Sequence, residues 1–340
     1  MAKDPTAQVL PSAWLAHRYA PDHDAIHFIE VARAVRRTAP FLIDEHLPGA
    51  HPLVVARSEA MDVAGSRAPI HFILHSAYCC STLLANALDR DGIASSFKEP
   101  VILNDLVGWR HRGAAPATVG AVLDNALTLL ARPFAPGEAS IVKPSNLVNG
   151  LAAAMLTLRP EAGCVLLHAP LPVFLGSIAS KGMWGRLWVR DLLAKQLKDG
   201  IVDLGMSAED IFLQTDLQVA AVGWLAQHQL FAALAERWPD RVRTLDSEDL
   251  LEHPAAAIAA VGRLFGLTLS DVDAGAIAAG AAFTRNAKNG QLYARADRIA
   301  AQHDAAAIHA EEIDRVVTWA HAVADAAKIA LVLPVPLLPR

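Results

Sequence analysis

The stretch that most constrains this chain runs from His71 to Pro100, HFILHSAYCCSTLLANALDRDGIASSFKEP. His71 to Leu74 is short, apolar and β-prone, and reads as a buried strand. A turn of small residues, His75 to Ser81, follows it. From Thr82 the apolar Leu83, Leu84, Ala87 and Leu88 recur at helical spacing until Gly92 stops them. Strand, tight loop and helix N-terminus together present backbone N–H groups to an anion, usually a phosphate. The rest of the chain then reads as scaffold, walls and lid for that loop.

Bulk properties narrow the ligand. With 340 residues, core size does not limit the fold. A net charge of −5 argues against a general nucleic-acid binder or an anionic-membrane binder, so any anion site must be local. Mean hydropathy is high at +0.29, yet no apolar run reaches the roughly 18–20 residues a membrane span needs. The N-terminus shows Lys3 and Asp4 without an apolar signal core, and the cytoplasm is the expected compartment. Cys79, Cys80 and Cys164 form neither a disulfide framework nor a zinc pattern.

Along the chain, residues 1–68 read as an N-terminal helical extension. Ile26, Ile29, Ala32 and Val35 suggest one amphipathic helix, with Arg33, Arg36 and Arg37 near its end. The remainder, 69–340, reads as one α/β domain. Helices are expected over 99–109, 119–130, 146–158, 184–197 and 216–238, with strands over 140–143, 164–168 and 241–245. Ser247 reads as a helix cap, Pro254 opens another helix and Gly266 closes it. Residues 282–300 are polar and basic and suggest a surface loop, before a final helix over 304–327. Strands alternating with helices imply a doubly wound parallel sheet of about five strands flanked by helices.

The loop does not fit a Walker pattern. With Thr82 in the last position, His75, Cys80 and Ser81 stand where Gly, Gly and Lys are required. Four segments in order instead resemble the sulfotransferase family. They are the apolar strand with a loop ending in Ser81, Thr82, Leu83 and Leu84 and then Glu99–Pro100; IVKPSN at 141–146; LLHAPLPVFLGS at 166–177; and LDSEDLLEHPAAAIAAVGRLFGL at 245–267.

The resemblance implies a P-loop-type fold and transfer of a sulfuryl group from 3′-phosphoadenosine 5′-phosphosulfate to a hydroxyl or amine of a small acceptor, without a metal ion. The chemistry parallels phosphoryl transfer, which needs positive charge and N–H donors around the moving group. Carried across, the backbone of Tyr78, Cys79, Cys80, Ser81 and Thr82, with the hydroxyls of the last two, would hold the phosphosulfate. Lys143 would stand near the bridging oxygen of the leaving phosphate, and Glu99 would be the base on the acceptor. His168 and Ser177 match the 3′-phosphate clamp, and Arg285 and Lys288 a basic late loop that closes on the nucleotide. The chain departs from the family pattern at Tyr78, where Arg or Lys is usual, and at His168 and Ala169, where Arg and Asp are usual. Each lost charge-assisted contact is worth roughly 1.5–3 kcal/mol.

Plainer readings stand beside these. Ser81 and Thr82 could cap a helix, and Glu99 could answer a helix dipole. Cys79 and Cys80 could be small fillers, His71 and His75 near the site by chance, Trp184 and Trp188 a buried helix face, and the late basic residues a solvated loop. Two other functions also stay open: a catalytically silent member of the fold that binds a nucleotide or partner protein, and a kinase or NTPase with a degenerate loop. A homodimer is compatible with every reading.

Overall fold

In the computed structural model, which describes residues 10–47, 49, 51–62, 64–65, 67–285 and 295–339, the chain builds two sheets. The larger has five parallel strands in the order β5-β6-β4-β7-β8. These are β4 (Ile70–His75), β5 (Ala94–Lys98), β6 (Ala139–Lys143), β7 (Cys164–His168) and β8 (Val242–Asp246). Every residue of β4 is buried, as a central parallel strand covered by helices on both faces requires. Ile73, Ile141, Val165 and Leu167 pack on one face with the loop helix Ser81–Leu88 and with the helix Leu171–Ala179. Phe72, Leu74, Val142 and Leu166 pack on the other, against the helices Val101–His111 and Pro116–Leu130.

Strand order places the site. The chain leaves β4 toward the β5 edge and returns through β6, then crosses to β7 on the far side of β4. β4 and β6 are neighbours whose outgoing connections diverge, which opens a crevice beyond their carboxyl ends. The loop after β4 and Lys143, the last residue of β6, stand there.

The described part of residues 1–68 is not a helical extension. It holds an antiparallel sheet of β1 (Trp14–Ala20), β2 (Ala25–Glu30) and β3 (Leu53–Ala56), with one short helix, Arg33–Thr38. The segment around Ile26 and Ile29 misleads because Ala25, Ile26, Phe28 and Ile29 are all buried in a strand, and that spacing mimics a helix face. The hydrogen-bond partners that make it a strand lie far away in sequence, such as Val55 opposite Ile26. β5 went unread for a related reason: ASSFK has no β-branched run, and only its pairing with β6 makes it a strand. Further along, 146–151 is a 3-10 turn feeding the helix Ala152–Leu158. The cap before Glu248 is Asp246 rather than Ser247. The last helix starts at Arg295. Among the described residues no helix is long and apolar enough to cross a membrane.

An ionic cluster ties the N-terminal part to the parallel sheet. Arg33 donates to Glu138 at 2.5 Å and lies 3.4 Å from Asp89, while Arg37 holds Asp89 at 3.0 Å and Asp91 at 2.8 Å. Glu138 and Asp89 are buried, so removing a cation strands a charge away from water. Arg33→Ala is expected to lower unfolding free energy by about 3 kcal/mol. Urea denaturation of the variant against the parent measures it.

Candidate active site

Three of the five residues from Ser76 to Cys80 take a backbone that side chains disfavour. Ala77, Tyr78 and Cys80 have φ of 75°, 52° and 64°, and Glu99 joins them at 53°. Four of the seven non-glycine residues with positive φ among the described residues thus cluster at one crevice. Each such conformation costs on the order of 1–3 kcal/mol and persists only where its surroundings enforce it. The enforcement is visible. Ser76 N–H donates to Leu167 O at 3.1 Å, Ala169 N–H to Ser76 Oγ at 3.3 Å, and Cys79 Sγ–H to Leu167 O at 3.3 Å, which pins the loop to β7. Ala77 N–H donates to His75 Nδ1 at 3.1 Å.

Cys80 is the N-cap of the loop helix and makes no side-chain cap bond, and no acidic residue stands in the first turn. The capping role considered for Ser81 is therefore not its role, since Ser81 is the first helical residue. Helix geometry leaves the N–H groups of Ser81, Thr82 and Leu83 without intrahelical acceptors, and the left-handed residues before them give the loop a backbone of the kind that can cradle an anion. Ser81 and Thr82 are both buried beside it.

Lys143, wholly buried, lies beside the first turn of this loop. Its ammonium donates to Glu99 Oε1 at 2.5 Å, sits 3.2 Å from His75 Nε2, and lies 5.3 Å from the ring centroid of Phe41. Glu99 is fixed at the main chain as well, its N–H donating to Lys143 O at 2.6 Å. The structure therefore brings together Lys143, Glu99 and the loop, and adds His75 and Phe41. His75 ends β4, and the chance proximity considered for it gives way to direct contact with Lys143 and with the loop. Phe41 arrives from the N-terminal sheet region, where nothing in the local sequence points to this crevice.

Lys98 is a further unread residue. It pairs in register with Lys143 and is buried on the same side of the sheet. Its Nζ donates to Asn86 Oδ1 and to Arg37 O, both at 2.8 Å, and burial pulls it down to about 8, with Lys143 nearby acting in the same direction.

Other candidates fall elsewhere. Tyr78 turns to the helices, its ring edge-on to Phe174 and Trp188 at 6.1 and 5.6 Å, and burial pushes its phenol up to about 12, so it is neutral. His168, at the end of β7, lies 3.9 Å from Asp246 and edge-on to His228, which burial and the nearby His168 hold well below the ordinary histidine range. Ser177 donates to Val173 O at 2.9 Å within its own helix. Arg285 is exposed, just after the turn Ala281–Thr284 that packs on the loop helix. Lys288 lies outside the described residues. Trp184 and Trp188 do not make a buried face: Trp184 is 61% exposed and stacks on the half-buried Trp188.

No family model and no curated protein matches the chain. Among solved structures it is similar to a sulfotransferase domain from the curacin biosynthetic pathway, at 12% identity over 67% of this chain and 84% of that one, with a TM-score of 0.41. It is also similar to sulfotransferase STF9 from Mycobacterium avium, at 14% identity over 76% of this chain and 79% of that one, with a TM-score of 0.44. What the site can do rests on its own residues.

Burial also sets the thiol chemistry. It pushes Cys79 and Cys164 up to about 12, so at pH 8 both are protonated and poorly nucleophilic. Iodoacetamide at pH 8 is expected to leave both unmodified in the native protein and to label them in denaturant. Peptide mass spectrometry reads the result.

Proposed function

We propose that this chain is a sulfotransferase-like enzyme that takes 3′-phosphoadenosine 5′-phosphosulfate as donor and a small hydroxyl or amine compound as acceptor. One observation carries the reading: a buried lysine, Lys143, paired with the part-buried carboxylate of Glu99, stands beside a left-handed loop at the switch point of a parallel sheet. The four sequence segments that resemble the family support it. The donor would bring an activated sulfuryl group on a phosphate leaving group.

The chain's residues suit that donor at its 5′ end. The N–H groups of Ser81 and Thr82 and their hydroxyls would bind the phosphosulfate oxygens, with the dipole of the loop helix behind them. Between His75 and Thr82 the loop has no Lys or Arg, so Lys143 would supply the full positive charge. Its ammonium would neutralise charge growing on the leaving oxygen, where a preorganised cation out of water acts most strongly. Glu99 would take the proton of the acceptor hydroxyl or amine as that atom bonds to sulfur. Held at φ 53° and bonded to Lys143, its carboxylate is fixed before any acceptor arrives.

A second reading has its own support. Tyr78 replaces the loop cation with a neutral ring packed on Phe174 and Trp188, which suits a chain that binds the nucleotide without transfer. Calorimetry with 3′-phosphoadenosine 5′-phosphate tests both. The parent chain is expected to bind, Lys143→Ala and Thr82→Val to lose about tenfold or more, and Glu99→Gln to keep binding. An absence of binding at millimolar ligand overturns the donor assignment. Binding without sulfuryl transfer to any of a panel of phenols, alcohols and amines favours the silent reading. Binding of ATP that requires Mg²⁺ would point to an NTPase.

A further inference from the structure

His75 joins several parts of the crevice. Its Nδ1 accepts from Ala77 N–H at 3.1 Å, the first left-handed residue of the loop. Its Nε2 lies 3.0 Å from Pro144 O, the carbonyl after Lys143, 3.2 Å from Lys143 Nζ and 3.9 Å from Glu99 Oε1. Its own carbonyl accepts from Asn149 Nδ2 at 3.0 Å. Asn149 is held in that orientation in turn. Gln227 Nε2 donates to Gly223 O at 3.2 Å, which turns Gln227 Oε1 toward Asn149 Nδ2 at 3.0 Å.

These bonds select one form of the ring. A backbone N–H can only donate, so Nδ1 must carry a lone pair, and a neutral ring then has its proton on Nε2. That proton points to an acceptor, the Pro144 carbonyl. Nε2 is therefore a donor and cannot accept from Lys143, although the ammonium is within reach. The opposite tautomer would set Nδ1–H against Ala77 N–H and give Lys143 a second acceptor besides Glu99. A doubly protonated ring would oppose Ala77 and add a cation next to Lys143.

We infer that His75 is a positioning residue of the transfer site, working as the neutral Nε2–H tautomer. It fixes the first turn of the anion loop through Ala77 and denies Lys143 a competing acceptor, so the ammonium protons that Glu99 does not take remain for an anion. The inference rests on the donor reading above only for the identity of that anion. It assigns His75 no contact with the reacting atoms.

The ring state is measurable without ligand. Long-range ¹H–¹⁵N correlation on histidine-labelled protein, with the His75 signals assigned from their loss in His75→Gln, is expected to show protonated Nε2 and bare Nδ1 at neutral pH. An Nδ1–H or doubly protonated ring overturns the inference. Calorimetry with 3′-phosphoadenosine 5′-phosphate then compares parent, His75→Ala, His75→Asn and His75→Gln, each checked for folding by circular dichroism. Asn can place an oxygen where Nδ1 stood and keep the Ala77 bond, whereas Gln cannot. His75→Ala and His75→Gln are expected to lose about tenfold in affinity, and His75→Asn to recover most of it. Equal affinities across all four overturn the inference. A parent chain that binds no nucleotide overturns the donor reading instead, and the ring spectrum still decides the role of His75.

Discussion

An ammonium fully withdrawn from water is unfavourable unless something compensates for it, and much of this crevice follows from the burial of Lys143. Glu99 is the compensation, and it reaches the ammonium from a residue with φ of 53°. The backbone bond from Glu99 N–H to Lys143 O holds that strained residue against the strand end it serves. Phe41 closes another side with its ring face, and Leu42, the next residue, bonds to Lys98 O and accepts from Val101 N–H. The N-terminal sheet region is thus part of the site's wall. The Arg33 and Arg37 cluster that clamps it to Asp89 and Glu138 serves the site at a distance by holding that wall in place.

Strain is the second organising feature. Phosphate loops commonly use glycine where φ is positive, because only glycine takes that backbone without steric penalty. Here Ala77, Tyr78 and Cys80 take it instead. Their side chains give something back. Tyr78 docks on Phe174 and Trp188, Cys80 packs on the apolar core, and Ala77 is small enough to be buried. A glycine loop would gain freedom and lose those anchors. The loop is held rigid by packing and by its bonds to β7, so its N–H groups point where they do before a ligand arrives, and less ordering remains to be done on binding.

The strand–loop–helix unit at 71–88 was legible because its signals are local. β4 is short and largely apolar, with Ile70 and Phe72 to Leu74, and the loop helix repeats its leucines at about one-turn spacing. Lys143 and Glu99 were legible as candidates through the segments around them. Their partnership was not, since it depends on β6 lying between β5 and β4, which no spacing in the sequence encodes. The N-terminal sheet was misread because strand pairing is non-local: Ile26 and Val55 stand far apart in sequence yet face each other. His75 was set aside for another reason. A histidine at a strand end says nothing about its tautomer until Ala77 N–H and Pro144 O are seen on either side of the ring.

Counting cations by sequence position understates what this crevice offers an anion. The loop has no Lys or Arg, but two lysines end adjacent strands in register on the face it covers. They divide the work. Lys98 donates to Asn86, on the loop helix itself, and to Arg37 O, which ties the helix to the sheet and to the N-terminal region. Burial brings it down to about 8, so it still carries its charge at neutral pH, and Asn86 Oδ1 and Arg37 O are the acceptors that hold that ammonium away from the crevice. On the proposed function, Lys143, with the carboxylate, would be the cation that meets the anion. A cation supplied from the sheet beneath in this way would leave the position of Tyr78 open for the aromatic anchor it is. On the proposed function, the aromatic at Tyr78 and the buried lysine on the neighbouring strand would be one adaptation, with Lys143 doing from the sheet what a cation in the loop would otherwise do.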